Sequence, residues 1–415
     1  DGIGEGGVHF SRAYTTCASC IAARRSLLTG QYPMTNGVVG YREKIPIKTP
    51  TVTQLLKDAG YATAISGRFM HQSPHNEPYG FEKRVLGSTY VKDDGYARDL
   101  AEGAPELGGI RGIGLSVNGR EAKPWPVDEA LHPTNWAVQQ ALQLLNEEDC
   151  ERPMFLVTSF YSPHSPLFPP RRYFEQYLDM ALPPVAIGDW ETVPPRESFE
   201  HNVDANRVDL EGEELRKAQA GYFGLIKQID DLLPRLLSEF KEKSEAEGRP
   251  WLVVFTSDHG DMLGDHYLFR KCEPYEGSSR IPFLIQGSPE LGLSTGLRCD
   301  GVVCLEDIMP TLLELAEVPV PANLDGRSLV PILRGEAETV REHLHGEHST
   351  CYDEEQAYHF MTDGSMKYIW RPASGREQLF NLETDPQELD DLAPEPGHEA
   401  ELSLWRGRMI ERLKD

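Results

Sequence analysis

A chain of 415 residues exceeds what one hydrophobic core usually serves, which predicts one large domain with a smaller one attached. Its 39% hydrophobic and 26% charged residues describe an ordinary soluble globular protein, and no apolar run approaches the length of a membrane span. A formal net charge of −25 argues against nucleic acid and anionic membrane as partners, because phosphate binding needs a basic face. Any anionic ligand must instead meet a local cluster of cations; otherwise the acidity only keeps the surface soluble. The chain opens Asp1-Gly2-Ile3-Gly4 without a methionine, so a removed leader and export, for instance to a bacterial periplasm, stay open.

In chain order, residues 8–16 read as one strand. Thr49 is a candidate N-cap with Pro50 at the first helical position, and Gly60 ends that helix. Residues 61–66 then read as a strand. A helix over 134–146 precedes an apolar strand over 154–160, and a long amphipathic helix over 213–240 precedes another over 251–256. Residues 281–285 read as a strand and 305–316 as a helix. Helices alternating with continuously apolar strands predict an α/β domain over 1–324, with a large, mostly parallel central sheet sandwiched by helices. Beyond it, short strands over 367–370 and 378–382 and a helix over 399–413 predict a smaller α+β subdomain over 325–415.

In such sheets functional residues gather just past the C-terminal ends of strands. Polar clusters stand there at 67–71, 161–166 and 257–261. Seven cysteines are scattered without zinc-type spacing, so each needs its own account. Cys20 precedes Arg24 and Arg25 where a loop enters a helix; cations and a helix N-terminus both favour a thiolate or a bound anion there. Asp258 and His259 follow a strand and could ligate a cation such as Ca²⁺ or Mg²⁺. His164 stands between Pro163 and Pro166, which hold its loop rigid.

The segment Cys20-Ile21-Ala22-Ala23-Arg24-Arg25-Ser26-Leu27-Leu28-Thr29-Gly30 resembles the sulfatase signature, with Ala22 where proline is usual. Ser257-Asp258-His259-Gly260 through Asp265-His266, then Lys271 and Arg280-Ile281-Pro282, is similar to the family's second metal-binding segment. Gly67-Arg68-Phe69-Met70-His71 is similar to its Gly-Arg-Met-His segment with one residue added, His75 being the neighbouring alternative to His71. Further likeness runs through 222–231, 307–315, 325–329 and 377–382, so it covers essentially the whole chain.

The resemblance implies a sulfuric ester hydrolase in which a maturation enzyme oxidises Cys20 to formylglycine, whose hydrate attacks sulfur. It implies Ca²⁺ (or Mg²⁺) held by Asp258, His259 and the modified Cys20; Asp261, Asp265 and His266 come into consideration as ligands only if the site lies elsewhere. Arg24, Arg68 and Lys271 would neutralise sulfate, His164 with Lys271 would help the alcohol depart, and His71 would take the remaining hydroxyl proton. His345 and His348 are candidate substrate contacts. A glycan or other small sulfate ester is the expected substrate. A phosphonate or phosphate-diester hydrolase of the same superfamily and a non-catalytic anion-binding homologue are the alternatives. Residues 1–10 resemble the helix end and second strand of the family, so its paired aspartates are expected upstream of Asp1.

Overall fold

The computed structural model describes residues 2–41, 44–69, 74, 77–88, 94–147, 151–352 and 354–414. Its strands are β1 (Val8–Phe10), β2 (Ala13–Tyr14), β3 (Ala62–Gly67), β4 (Lys83–Leu86), β5 (Met154–Ser159), β6 (Leu252–Thr256) and β7 (Phe283–Gly287). They continue with β8 (Leu297–Cys299), β9 (Val303–Cys304), β10 (Leu344–His348), β11 (Tyr358–Thr362), β12 (Met366–Arg371) and β13 (Arg376–Asn381). The fold is α/β. β3 runs parallel to β4 on one side and to β5 on the other. β6, β7, β1 and β8 form a mixed sheet in that order, antiparallel except for β1 and β8. β2 and β9 make a small parallel pair, and β10 to β13 form an antiparallel sheet in sequence order.

The main core lies under the mixed sheet, where Phe10, Phe283 and Ile285 meet Leu305, Leu329 and Leu333. β5 and β6 are edge strands among the described residues, and both are only half-buried although their sequences are mostly apolar. Side chains join their ends: Arg249 Nη1 donates to the Arg152 carbonyl at 2.5 Å below, and Arg24 spans from Ser159 to Asp258 above.

Three expectations about elements change. Residues 8–16 are two strands, because the Ser11 N–H turns to the Cys299 carbonyl at 2.9 Å and the chain leaves one sheet for another. The N-cap of helix Val52–Asp58 is Thr51, whose hydroxyl oxygen accepts the Gln54 N–H at 3.1 Å, and neither Thr49 nor Pro50 lies in the helix. The long helix is Gly212–Ala246. It outlasts its last apolar residues because i,i+4 pairs such as Arg235–Glu239 and Lys243–Glu247 support its polar end.

The C-terminal sheet is tied to the rest by buried polar contacts. Lys367, fully buried, donates to Glu276 at 2.8 Å and Glu388 at 3.0 Å. The Glu347 N–H donates to the Thr16 carbonyl at 2.7 Å, which docks β10 on the segment leading to Cys20. Among the described residues no helix is long and apolar enough to cross a membrane.

Candidate active site

Cys20 is the first residue of helix Cys20–Thr29, after Ser19 in extended conformation. Its sulfur therefore lies at the positive end of the helix dipole. The helix stops at Gly30, whose φ of 63° suits glycine and whose N–H bonds back to the Ser26 carbonyl at 2.8 Å. A spacing of four puts Arg24 on the face of Cys20; a spacing of five turns Arg25 away. Arg25 is buried and donates to the Ile45 carbonyl at 2.6 Å, so one guanidinium, not two, stands beside the cysteine.

Arg24 joins three elements. Its Nε donates to Asp258 Oδ2 at 2.8 Å, and its Nη1 to Ser159 Oγ at 3.0 Å and to the Arg68 carbonyl at 3.2 Å. Gly67 makes this junction possible, since a Cβ there would lie 2.1 Å from the Ser159 carbonyl oxygen. Arg68 itself is buried with its guanidinium 4.6 Å from the centre of the Tyr161 ring.

Asp258 and His259 follow β6. Burial disfavours the Asp258 charge, yet Arg24, His259 and Arg68 hold its carboxyl well below the usual range. His259 Nδ1 faces the Gly260 carbonyl at 2.7 Å, an oxygen that can only accept, so Nδ1 carries the proton. Its Nε2 then points at Cys20 Sγ, 3.1 Å away. Burial pulls the imidazole down, but Asp258 and the Cys20 sulfur outweigh it and raise it to about 9. Burial likewise pushes the Cys20 thiol up, and Lys271 with His259 reverse this to about 6.

The same donor logic fixes His164. Its Nδ1 donates to the Ser165 carbonyl at 2.6 Å, and its Nε2 receives Lys271 Nζ at 2.5 Å. Burial, then Lys271 and Arg68, press its basicity well below the ordinary value, so this ring is neutral.

The buried cluster thus gathers Cys20, Arg24, Arg68, His164, Asp258, His259 and Lys271. Ligand atoms of Cys20, Asp258 and His259 lie within 4.8 Å of one another, the one such group among the described residues that could hold a metal ion. A sulfur, a carboxylate and, once a metal displaces the proton, an imidazole nitrogen suit one side of a divalent cation's shell. The Cys20 sulfur marks where an oxygen of a converted residue would stand.

Other candidates lie elsewhere. Asp265 accepts the Ala186 N–H at 2.8 Å, and His266 packs its ring 4.8 Å from that of Trp190, so both turn from Cys20. Asp261 accepts the N–H groups of Leu263 at 3.0 Å and Arg270 at 2.9 Å, closing the loop that delivers Lys271. Successive residues of a strand face opposite ways. His345 accordingly pairs with His359 at 3.1 Å on one face of β10, while His348 faces Tyr41 and Tyr358 on the other. His71 and His75 lie outside the described residues. Sequence reasoning assigned nothing to Ser159 and Tyr161, although both fall at the polar end of a strand, the signal that marked their neighbours.

The chain was compared with known proteins. The sulfatase family model matches residues 1–318, and that for the C-terminal part of N-sulphoglucosamine sulphohydrolase matches 264–414. An arylsulfatase of Clostridium perfringens is 35% identical over 98% of this chain and 87% of its own length. A choline-sulfatase of Rhizobium meliloti is 31% identical over 93% and 75% respectively. Among solved structures, a phosphonate monoester hydrolase of Agrobacterium radiobacter superposes with a TM-score of 0.81 at 23% identity, covering 99% of this chain and 89% of its own. A protein solved with its substrate D-glucosamine-2-N,6-O-disulfate gives 0.79 at 19% identity, covering 100% and 92%. The signature around Cys20, the match over most of the chain and the shared α/β fold lead to one conclusion: this chain belongs to the sulfatase family, sulfuric ester hydrolases of the alkaline phosphatase-like superfamily.

Proposed function

We propose that this sulfatase hydrolyses a sulfate ester carried by a carbohydrate, with position 20 as the nucleophile. The observation that carries the reading is Cys20 Sγ held 3.1 Å from His259 Nε2, with Lys271 and the Arg24–Asp258 pair around it. Family membership brings a metal and a formylglycine in general. The residues here fit both, and we assign Ca²⁺, with Mg²⁺ the alternative, to Asp258, His259 and position 20. Formylglycine, installed by a maturation enzyme, would supply a hydroxyl nucleophile, and the cation would neutralise sulfate charge.

The chain's own groups do the rest. Arg68 and the remaining Nη2 of Arg24 would set guanidinium charge against sulfate oxygens. Lys271 holds a proton at Nζ for the departing oxygen, and neutral His164 aims that Nζ through Nε2. Arg24, Arg68 and Lys271 together give an anionic ester the local attraction that the acidic surface denies it. A carbohydrate alcohol is favoured by the C-terminal match to N-sulphoglucosamine sulphohydrolase and by the fold shared with the protein bound to a glucosamine disulfate.

Turnover of a panel tests this: sulfated mono- and oligosaccharides, an aryl sulfate, choline sulfate and a phosphonate monoester. The highest kcat/KM should fall on a sulfated sugar. A phosphonate turned over faster than every sulfate would move the chain to the other activity of this fold.

A further inference from the structure

We propose that Tyr41 and Tyr352 form the alcohol-side wall of the active site, where they pack against a ring of the sulfate ester and favour ring alcohols over acyclic ones.

Among the described residues these two are the only Phe, Tyr or Trp side chains that stay exposed, at 41% and 36%. Such a ring leaves a large apolar face in water, and small-molecule sites are where exposed rings of this kind are covered by a ligand. Their shared position makes the pair more than two scattered surface rings.

Both are anchored on Cys272, the residue after Lys271. The Cys272 thiol donates to the Tyr41 hydroxyl at 3.6 Å. The Tyr352 N–H donates to Gln356 Oε1 at 2.7 Å, and Gln356 Nε2 donates to the Cys272 carbonyl at 3.3 Å. The segments that carry the two tyrosines are also joined to each other: the Ser349 N–H, just past β10, donates to the Val39 carbonyl at 3.3 Å. Gly40 permits this approach, since its φ is 112° and a Cβ there would lie 2.6 Å from Ser349 Oγ. Cys272 in turn donates its N–H to the Ala18 carbonyl at 2.9 Å, close before Cys20.

This placement decides which half of the ester the rings meet. Position 20, Arg24 and Arg68 take the sulfate, and Lys271 faces the departing oxygen, so groups carried on Cys272 stand on the side of the alcohol; the inference rests on that reading of Lys271. The rings are braced for a flat partner. Tyr41 meets His348 edge-on, with ring centres 6.3 Å apart and planes at 67°. The buried Arg270 guanidinium lies 4.8 Å from the centre of the Tyr352 ring and closes one of its faces. A cation on one face of a ring opposes a second cation on the other, which counts against the trimethylammonium of choline. The C–H face of a sugar ring, or a phenyl ring, carries no such charge and suits the open face.

Tyr41→Ala, Tyr352→Ala and the two phenylalanine variants test this, with glucosamine sulfate, nitrophenyl sulfate and choline sulfate as substrates and inorganic sulfate as a competitive inhibitor. Each alanine variant should raise KM for the ring sulfates roughly 5–20-fold, with a smaller change in kcat. Choline sulfate should lose much less, and the inhibition constant of inorganic sulfate should stay near its native value. The phenylalanine variants should recover most of the loss. An unchanged KM for the ring sulfates would overturn the wall. So would a loss shared equally by inorganic sulfate, which reports a disturbed sulfate site, or by choline sulfate. Failure of both phenylalanine variants to recover KM would assign the effect to the hydroxyls and overturn packing on the ring faces. Nitrophenyl sulfate carries a ring but no sugar. If sulfated sugars prove poor substrates of the native enzyme, the carbohydrate reading fails while the wall is still measured on the aryl ester.

Discussion

Lys271 Nζ donates to His164 Nε2 at 2.5 Å, and His164 Nδ1 is committed to the Ser165 carbonyl. The imidazole is therefore an acceptor toward the site, and the transferable proton of the pair belongs to the lysine. Both His164→Ala and Lys271→Met should slow esters of poorly leaving alcohols far more than activated aryl sulfates, by ~10²–10⁴-fold at the poor end. The double variant should lose little beyond the worse single one, because the two act as a unit. Rates across a leaving-group series measure this; equal losses along the series would remove the pair from the acid role.

Arg24 ties the helix of Cys20 to the ends of β3 and β5 and to Asp258. Arg24→Ala leaves a largely buried carboxylate without its main partner, and should cost roughly 2–3 kcal/mol in denaturant unfolding. Arg24→Lys should regain less than half, since a point charge cannot serve Ser159 and the Arg68 carbonyl together. Full recovery by lysine would mean that charge alone matters there.

Glu306 is fully buried and accepts the Thr16 hydroxyl. Burial raises its carboxyl from 4.5 to about 7. Its contribution is complete below the unfolded value and is lost as pH rises through the folded one. Glu306→Gln should therefore raise the melting temperature at about pH 8 and change it much less at about pH 5, with a gain on the order of 3 kcal/mol at most. A larger gain in acid than in alkali would contradict the assignment of a protonated side chain.

Asp258, His259 and position 20 would supply three of the roughly 6–8 ligands that Ca²⁺ takes, so losing one of them should weaken binding markedly. Calorimetric titration of the native enzyme and of Asp258→Asn with Ca²⁺ and Mg²⁺ checks this. Tight binding that survives Asp258→Asn would place the site elsewhere.

Much of the site was legible because apolar runs ended in polar clusters: 67–68 after β3, 161–164 after β5 and 257–259 after β6. The parallel pairing of β3 and β5 brings their ends together, and Arg24 joins them to the end of β6. Arg25 was misread beside Cys20, although its spacing of five already turns it from that face. Tyr161 and Ser159 stayed without roles because their partners, Arg68 and Arg24, come from other elements. The sequence assigns no strand to β10, since Leu344-His345-Gly346-Glu347-His348 shows no apolar alternation. It is buried throughout because its sheet partner sets His345 against Met361 and Glu347 against His359.

Peptide mass spectrometry of position 20, alongside the specific activity of the same preparation, tests the central claim most directly. An active preparation should carry an aldehyde there, with activity rising in proportion to the converted fraction, and Cys20→Ala should fold yet turn over no sulfate ester. Full specific activity with an unmodified Cys20 thiol would contradict the account.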